Sequence, residues 1–456
     1  MGGGPLCIPT HFSPRMSLSG FGAAPPSDWE SFPRLNLPGS KSIWNRLQVL
    51  QAMLGRSGTT DFWPHPDSGS SWDQAPDDVR AMARVVEAIQ HSVKTGEWQQ
   101  VSVGPAGTAW RFGLALALST PGARVVLDGD KRLRERPIAP VLDALKSLGA
   151  TWEGDVPPHR CTGRRLRGGP CTLDASASSQ HHSALLLVAP WMEHPLDLHL
   201  TAPLVSAPYA EMTAALLRKA GVSVASDAHR WQVGLISDGP LAPADPSLWD
   251  FDPDWSAAAV HAAAVAVTGR PVVLNGLRLD SLQGDKALLR FLPDVGVQAA
   301  EVPGGVCFFK DAAAAVQATA SLLWDFSDVP DTAQVLLTAA MALGRSGTAT
   351  GLQTLAGKEI DRTQGLDALA QVLKVETRWE GGALAFQSTL GNGFFAGTPS
   401  DASTHSRAVV SAYGDHRQAF AWALVHQVCP LVLEDGACVS KSYPGFWENF
   451  HAQVGA

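Results

Sequence analysis

Apolar residues recur along the chain in blocks with helical spacing, and a knot of polar residues precedes each block. SKSIWNRLQVLQAML at 40–54 places Ile43, Leu47, Leu50 and Leu54 on one face and predicts an amphipathic helix. The arrangement returns in GTAWRFGLALALS (107–119), SSQHHSALLLVAP (178–190), PDTAQVLLTAAMALG (330–344), KEIDRTQGLDALAQVL (358–373) and DHRQAFAWALVHQV (415–428). The polar residues are therefore predicted at helix N-termini. Other helical patterns end in an apolar residue, then Gly, then Ala or Val: DALKSLGA (143–150), ALLRKAGV (215–222) and LLRFLPDVGV (288–297). Their glycines, Gly149, Gly221 and Gly296, stand about 72 and 75 residues apart, and LDALAQVLKVET (366–377) follows roughly a period later without the glycine. This spacing predicts an alternating strand and helix unit of roughly 70–77 residues in about six copies, and hence an α/β protein.

A length of 456 residues suits two or three domains with sizeable cores. Hydrophobic residues at 45% and charged residues at 17% describe a folded globular chain. No apolar run approaches the roughly 20 residues of a membrane helix. The first 34 residues lack a basic start followed by an apolar core, so they read as a short extension, either an edge strand or loose, and a cytoplasmic location is expected. The six cysteines (7, 161, 171, 307, 429 and 438) include no C-x-x-C pair and are expected to be free thiols.

Charge changes the picture locally. The 35 Lys and Arg against 43 Asp and Glu give a net charge of −8, so nothing overall advertises nucleic acid or an anionic membrane as a partner. Yet Lys41, Arg46, Arg111, Arg132, Lys358, Arg362, Arg417 and Lys441 all lie in or beside the polar knots. Helix N-termini already carry partial positive charge, so cations gathered there imply ligands with several negative charges. Two polyanionic substrates are the natural inference. Asp331, Glu359 and Asp254 are the acids placed to move protons; a carboxylate beside a cation has a lowered pKa and acts as a base.

Other chemistries fail on spacing. LPGSKS at 37–42 lacks the glycines of a phosphate-binding loop, with Leu35 and Ser40 where they would stand. GPAGTAWRFG at 104–113 is not a dinucleotide fingerprint, and His159, Cys161, Cys171, His181 and His182 match no standard zinc spacing.

At these residues the chain resembles the enolpyruvyl transferase family. The ordered motifs are LPGSKSIWNR (37–46), GPAGTAWR (104–111), DGDKRLRERPI (128–138), SASSQ (176–180), LVSAPY (204–209), QGD (283–285), VPDTA (329–333), GKEIDR (357–362), YGDHR (413–417) and GACVSKSYPGFWE (436–448). The resemblance covers about residues 36 to 450. It implies a two-domain inside-out α/β barrel, each domain three βαβαββ repeats, with an interdomain active-site cleft. By analogy one domain takes 35–251 and the other 1–34 plus 252–456, and ligand charge draws the halves together. The implied reaction joins the 5-hydroxyl of shikimate 3-phosphate to C2 of phosphoenolpyruvate and then eliminates phosphate, on the route to chorismate and the aromatic amino acids, with no metal or redox cofactor and in a monomer.

Carried over by motif, Lys41, Ser42, Arg46, Ser178, Ser179, Gln180, Ser206, Tyr209, Asp331 and Lys358 bind shikimate 3-phosphate. Lys41, Gly107, Arg132, Gln180, Arg362, Arg417 and Lys441 hold phosphoenolpyruvate. Lys41, Asp331 and Glu359 are the catalytic candidates. Trp44, Pro105, Ala207 and Ala356 depart from the family pattern beside these residues and bear on affinity and on sensitivity to the herbicide glyphosate. The alternatives are the sister transferase acting on UDP-N-acetylglucosamine, whose pattern lacks the Gly-Ser-Lys-Ser opening, the RERPI stretch and the Asp-His-Arg turn, and an inactive ligand-binding relative.

Overall fold

A computed structural model describes residues 23–54, 72, 75–176, 178–236, 246–250, 252–310, 321–389 and 408–455. The chain divides into two compact units. The first takes Pro38–Asp252 with Leu282–Gly284; the second takes the chain up to Leu37, Pro253–Ser281 and the chain from Asp285 onward. Each has its own apolar core.

The repeat is visible as sheet topology. In the first unit Gln99–Ser102 runs parallel to Arg124–Asp128, which pairs antiparallel with His159–Thr162 and through it with Thr151–Glu153. Gly169–Leu173, Leu196–Leu200, Arg230–Val233 and Val224–Ser226 repeat that order. In the second unit the order returns in Leu322–Asp325, Gly347–Thr350, Ala383–Ser388 and Val375–Glu380. It returns again in Arg34–Asn36, Val272–Asn275, Gly305–Lys310 and Val297–Val302, so residues 34–36 are an edge strand, while residues 1–22 lie outside the described part. A parallel pair, Ala408–Val410 with Leu431–Leu433, is a fifth, partial instance. Four full sheets and one pair, of the six copies anticipated, are thus seen among the described residues.

The glycine spacing has a backbone cause. Gly149, Gly221 and Gly296 have φ of +99°, +90° and +75°, turning the chain from a helix end into a strand. At the fourth such place Lys374 takes the same turn with φ +56°, a conformation a side chain makes costly.

Helices fill the inside of each unit. In the first, Lys41–Met53, Gly107–Ser119 and Ser179–Val188 pack on one another. In the second, Trp255–Thr268, Ala333–Ala342 and His416–His426 do the same. The expectation of amphipathic helices at these positions is corrected: Ala333–Ala342 is buried along its whole length, and Lys41–Met53 buries every residue from Ile43 to Gln51. A helix surrounded by fellow helices and sheets has no solvent face to make polar. The sheets lie outside and alternate, as in Arg230–Val233, whose residues are exposed, buried, exposed and buried in turn.

The five cysteines within the described residues are free thiols; Cys7 lies outside them. Among the described residues no helix is long and apolar enough to cross a membrane. The imagined zinc residues serve the core: His159 stacks on Trp110, His182 meets the edge of Trp231, and Cys161 and Cys171 are buried.

Candidate active site

About half of the candidate residues stand at the N-terminal turns of the inner helices, and the rest stand on the elements packed beside them. In the first unit Ser40 caps the helix Lys41–Met53 by accepting from the Ile43 N–H. Lys41, its first residue, points its Nζ at Asp78 Oδ2, 3.0 Å away, on the second residue of the helix Asp77–Thr95. One turn on, Arg46 is buried and donates four times: Nε to Thr213 Oγ1 (2.7 Å), Nη1 to the Ser42 carbonyl (2.6 Å), and Nη2 to Ser183 Oγ and the Tyr209 carbonyl (3.1 Å each). Arg46 thus ties Ser42 to Tyr209, three residues after Ser206, whose left-handed backbone (φ +53°) opens the helix Ala207–Lys219.

Ser178 caps the helix Ser179–Val188 through the Gln180 N–H at 3.2 Å. The Gln180 amide is held at both ends, Oε1 accepting from Arg111 Nη1 at 3.0 Å and Nε2 donating to Thr108 Oγ1 at 3.1 Å. Gln180 and Ser183 are one turn apart, so this helix joins the Arg46 cluster to the Arg111 cluster. Arg111 also donates to the carbonyls of Gly107 (3.3 Å) and Pro137 (2.7 Å). Gly107 is a glycine for a packing reason: a Cβ there would lie 2.7 Å from Arg136 Nη1 and 2.9 Å from Arg111 Nη1.

Arg132 pairs with Glu135 at 3.3 Å, and its side chain is 42% exposed. Arg136, four residues further along the same motif, lies with Arg111 against Gly107 and has a buried Nε with no hydrogen-bond partner among the described residues.

The second unit gathers its six candidates into one ion network. Arg362 opens the helix Arg362–Val372, and its guanidinium reaches Asp331 Oδ1 (3.2 Å), Glu359 Oε2 (2.8 Å) and Asp415 Oδ2 (2.8 Å). Asp331 also takes Lys358 at 3.0 Å and Arg417 at 3.6 Å, and Glu359 takes Lys441. Burial works against ionisation of Asp331, but Lys358, Arg417 and Arg362 outweigh it and hold the carboxyl well below the usual range. It is therefore a carboxylate at neutral pH. Burial also lowers the Lys358 ammonium, with Asp331 pulling the other way. Among the described residues four cations, Lys358, Arg362, Arg417 and Lys441, meet three acids, Asp331, Glu359 and Asp415. Asp254 caps the helix Trp255–Thr268, accepting from the N–H groups of Ser256 (2.7 Å) and Ala257 (3.2 Å).

The profile described as EPSP synthase (3-phosphoshikimate 1-carboxyvinyltransferase) matches residues 33–450. The chain belongs to the EPSP synthase family. It is similar to the 3-phosphoshikimate 1-carboxyvinyltransferase of Nitrosomonas europaea, 30% identical over 431 residues that cover 92% of this chain and 95% of the relative. The enzyme of the same name from Vibrio cholerae serotype O1 is 31% identical over 439 residues, covering 91% and 95%. Among solved structures, EPSP synthase from Acinetobacter baumannii matches with a TM-score of 0.63 at 19% identity over 92% of this chain and 95% of that one, a likeness of fold. The fold is the two-domain inside-out α/β fold of the EPSP synthases.

In this EPSP synthase family member three residues of the clusters escape the sequence reading. Asp415 caps the helix His416–His426 through the Arg417 N–H (2.8 Å) while binding Arg362; the DHR motif contains it, but nothing local says which cation it serves. Ser256 accepts from Arg417 Nη2 at 2.6 Å and carries no sequence signal. Arg136 stands in the RERPI stretch, and only the fold shows that its guanidinium lies against Gly107.

Proposed function

We propose that the chain, as a member of the EPSP synthase family, transfers the carboxyvinyl group of phosphoenolpyruvate to the 5-hydroxyl of shikimate 3-phosphate by addition and elimination of phosphate, using the residues of the two clusters. The observation that carries the reading is the convergence of Lys358, Arg362, Arg417 and Lys441 on the carboxylates of Asp331 and Glu359. Such a cluster of cations suits anionic ligands that take over the pairing, and it keeps carboxylates beside them to move protons.

In this reading Asp331, ionised at neutral pH, accepts the proton of the attacking hydroxyl as the new C–O bond forms at C2. Glu359 exchanges the proton at C3, and Lys41, aimed by Asp78, stabilises charge developing on the phosphate or donates a proton to it as it leaves. Ser42, Arg46, Ser178, Ser179, Gln180, Ser206, Tyr209, Asp331, Lys358 and Lys41 bind shikimate 3-phosphate. Lys41, Gly107, Arg132, Gln180, Arg362, Arg417 and Lys441 hold phosphoenolpyruvate, with Arg136 a further cation against Gly107. The free thiols favour the cytoplasm.

The test is release of phosphate from phosphoenolpyruvate with shikimate 3-phosphate, with UDP-N-acetylglucosamine, and with neither. Release only with shikimate 3-phosphate is expected, and Asp331→Ala is expected to lower kcat about 10²-fold or more. Release with UDP-N-acetylglucosamine alone, or near-normal turnover in Asp331→Ala, overturns the reading.

A further inference from the structure

His181 follows Gln180 in the helix Ser179–Val188, is fully buried, and has no part in the chemistry above. Its Nε2 lies 3.2 Å from the carbonyl oxygen of Pro137, and the same oxygen accepts from Arg111 Nη2 at 2.7 Å. A carbonyl only accepts, so the ring hydrogen sits on Nε2. Nδ1 has no hydrogen-bond partner among the described residues. Burial, reinforced by Arg111, pushes the His181 pKa down to about 3, so this neutral form persists through the working range.

Pro137 is the residue after Arg136. The proline ring fixes its own φ and confines the preceding residue to extended backbone, so the orientation of the Pro137 carbonyl and the direction in which Arg136 leaves the chain are coupled. Two donors on that one oxygen fix the peptide on the far side of Arg136, while the Arg136 N–H is held by the Leu133 carbonyl at 3.0 Å. Arg136 then lies against Gly107, where its Nη1 occupies the space of a Cβ.

We infer that His181 is a positioning residue: by donating from Nε2 to the Pro137 carbonyl it holds the segment that carries Arg132 and Arg136 beside Gly107, in the geometry that receives phosphoenolpyruvate. The inference rests on the function proposed above. It explains a fully buried histidine at a place where an apolar ring would fill the same volume. It also separates the roles of two neighbours on one helix turn, Gln180 meeting ligand and His181 holding the opposite wall.

The test compares His181→Phe, His181→Gln and His181→Asn in the full chain. Phe keeps the volume and removes the donor; Gln places an amide nitrogen where Nε2 stands; Asn places one near Nδ1, too short to reach Pro137. Loss of a hydrogen bond of this kind is expected to raise KM for phosphoenolpyruvate about tenfold in the Phe and Asn variants, with KM for shikimate 3-phosphate little changed and the Gln variant close to wild type. Amide hydrogen exchange across residues 131–141 is expected to quicken in Phe and Asn and not in Gln, a readout that needs no turnover. Unchanged KM and exchange in His181→Phe, equal behaviour of Gln and Asn, or a parallel rise in KM for both substrates overturns the inference. Absence of shikimate 3-phosphate-dependent phosphate release in the wild type overturns the function instead, and the exchange comparison then still decides whether His181 holds this turn.

Discussion

Removing the Asp415 carboxylate tests whether the second unit's network is held together as described. Asp415 is completely buried and binds Arg362 through Nε at 2.8 Å and Nη2 at 3.3 Å, and the same carboxylate caps the helix His416–His426. Asp415→Ala strips the cap, worth about 1 kcal/mol, and takes one of three acids from Arg362. Breaking a buried pair by deleting one partner costs about 3–5 kcal/mol when the other charge is left uncompensated. Here Glu359 and Asp331 remain, so the lower end applies. A total loss of about 3–4 kcal/mol is expected. At about 2–4 °C per kcal/mol for a unit of this size, calorimetry should show the melting of the second unit lowered by roughly 10 °C. Arg362→Met combined with Asp415→Ala removes both charges and is expected to return about 2 kcal/mol of the sum of the single losses. A drop below about 2 °C in Asp415→Ala, or strict additivity in the double variant, would refute the coupling.

Two further outcomes follow from buried or strained positions. His182 is fully buried, has no hydrogen-bond partner among the described residues, and is pushed by burial down to a pKa of about 3. The unfolded chain takes up a proton near the ordinary value while the folded chain stays neutral, so stability falls as pH drops from about 6.5 towards about 3 at roughly 1.4 kcal/mol per pH unit. His182→Leu should therefore stabilise the protein by about 2 kcal/mol more at pH 5 than at pH 8 in urea unfolding, and an equal gain at both pH values would refute the assignment. Lys374→Gly relieves a left-handed residue and, after the entropy of a glycine in the unfolded chain is subtracted, should stabilise by about 0.5–1 kcal/mol; a lowered melting temperature would show that the Lys374 turn carries no strain.

Local chemistry made much of this protein legible in its sequence. Polar knots before apolar runs marked where helices begin, because unpaired N–H groups there need acceptors: Ser40, Ser178, Asp254 and Asp415 all cap. Glycines at 149, 221 and 296 marked the repeat, because the helix-to-strand turn needs positive φ. The ordered motifs marked the family. Tertiary structure alone decided that the inner helices are buried on every side, that Arg362 rather than another cation is paired with Asp415 53 residues away, and that Arg136 lies against Gly107. Capping and turn conformation depend on residues within one turn of each other, so a sequence states them directly. Burial and ion pairing depend on which distant elements arrive at the same place, and the energy that chooses among several equally charged neighbours exists only once water has been excluded around one of them.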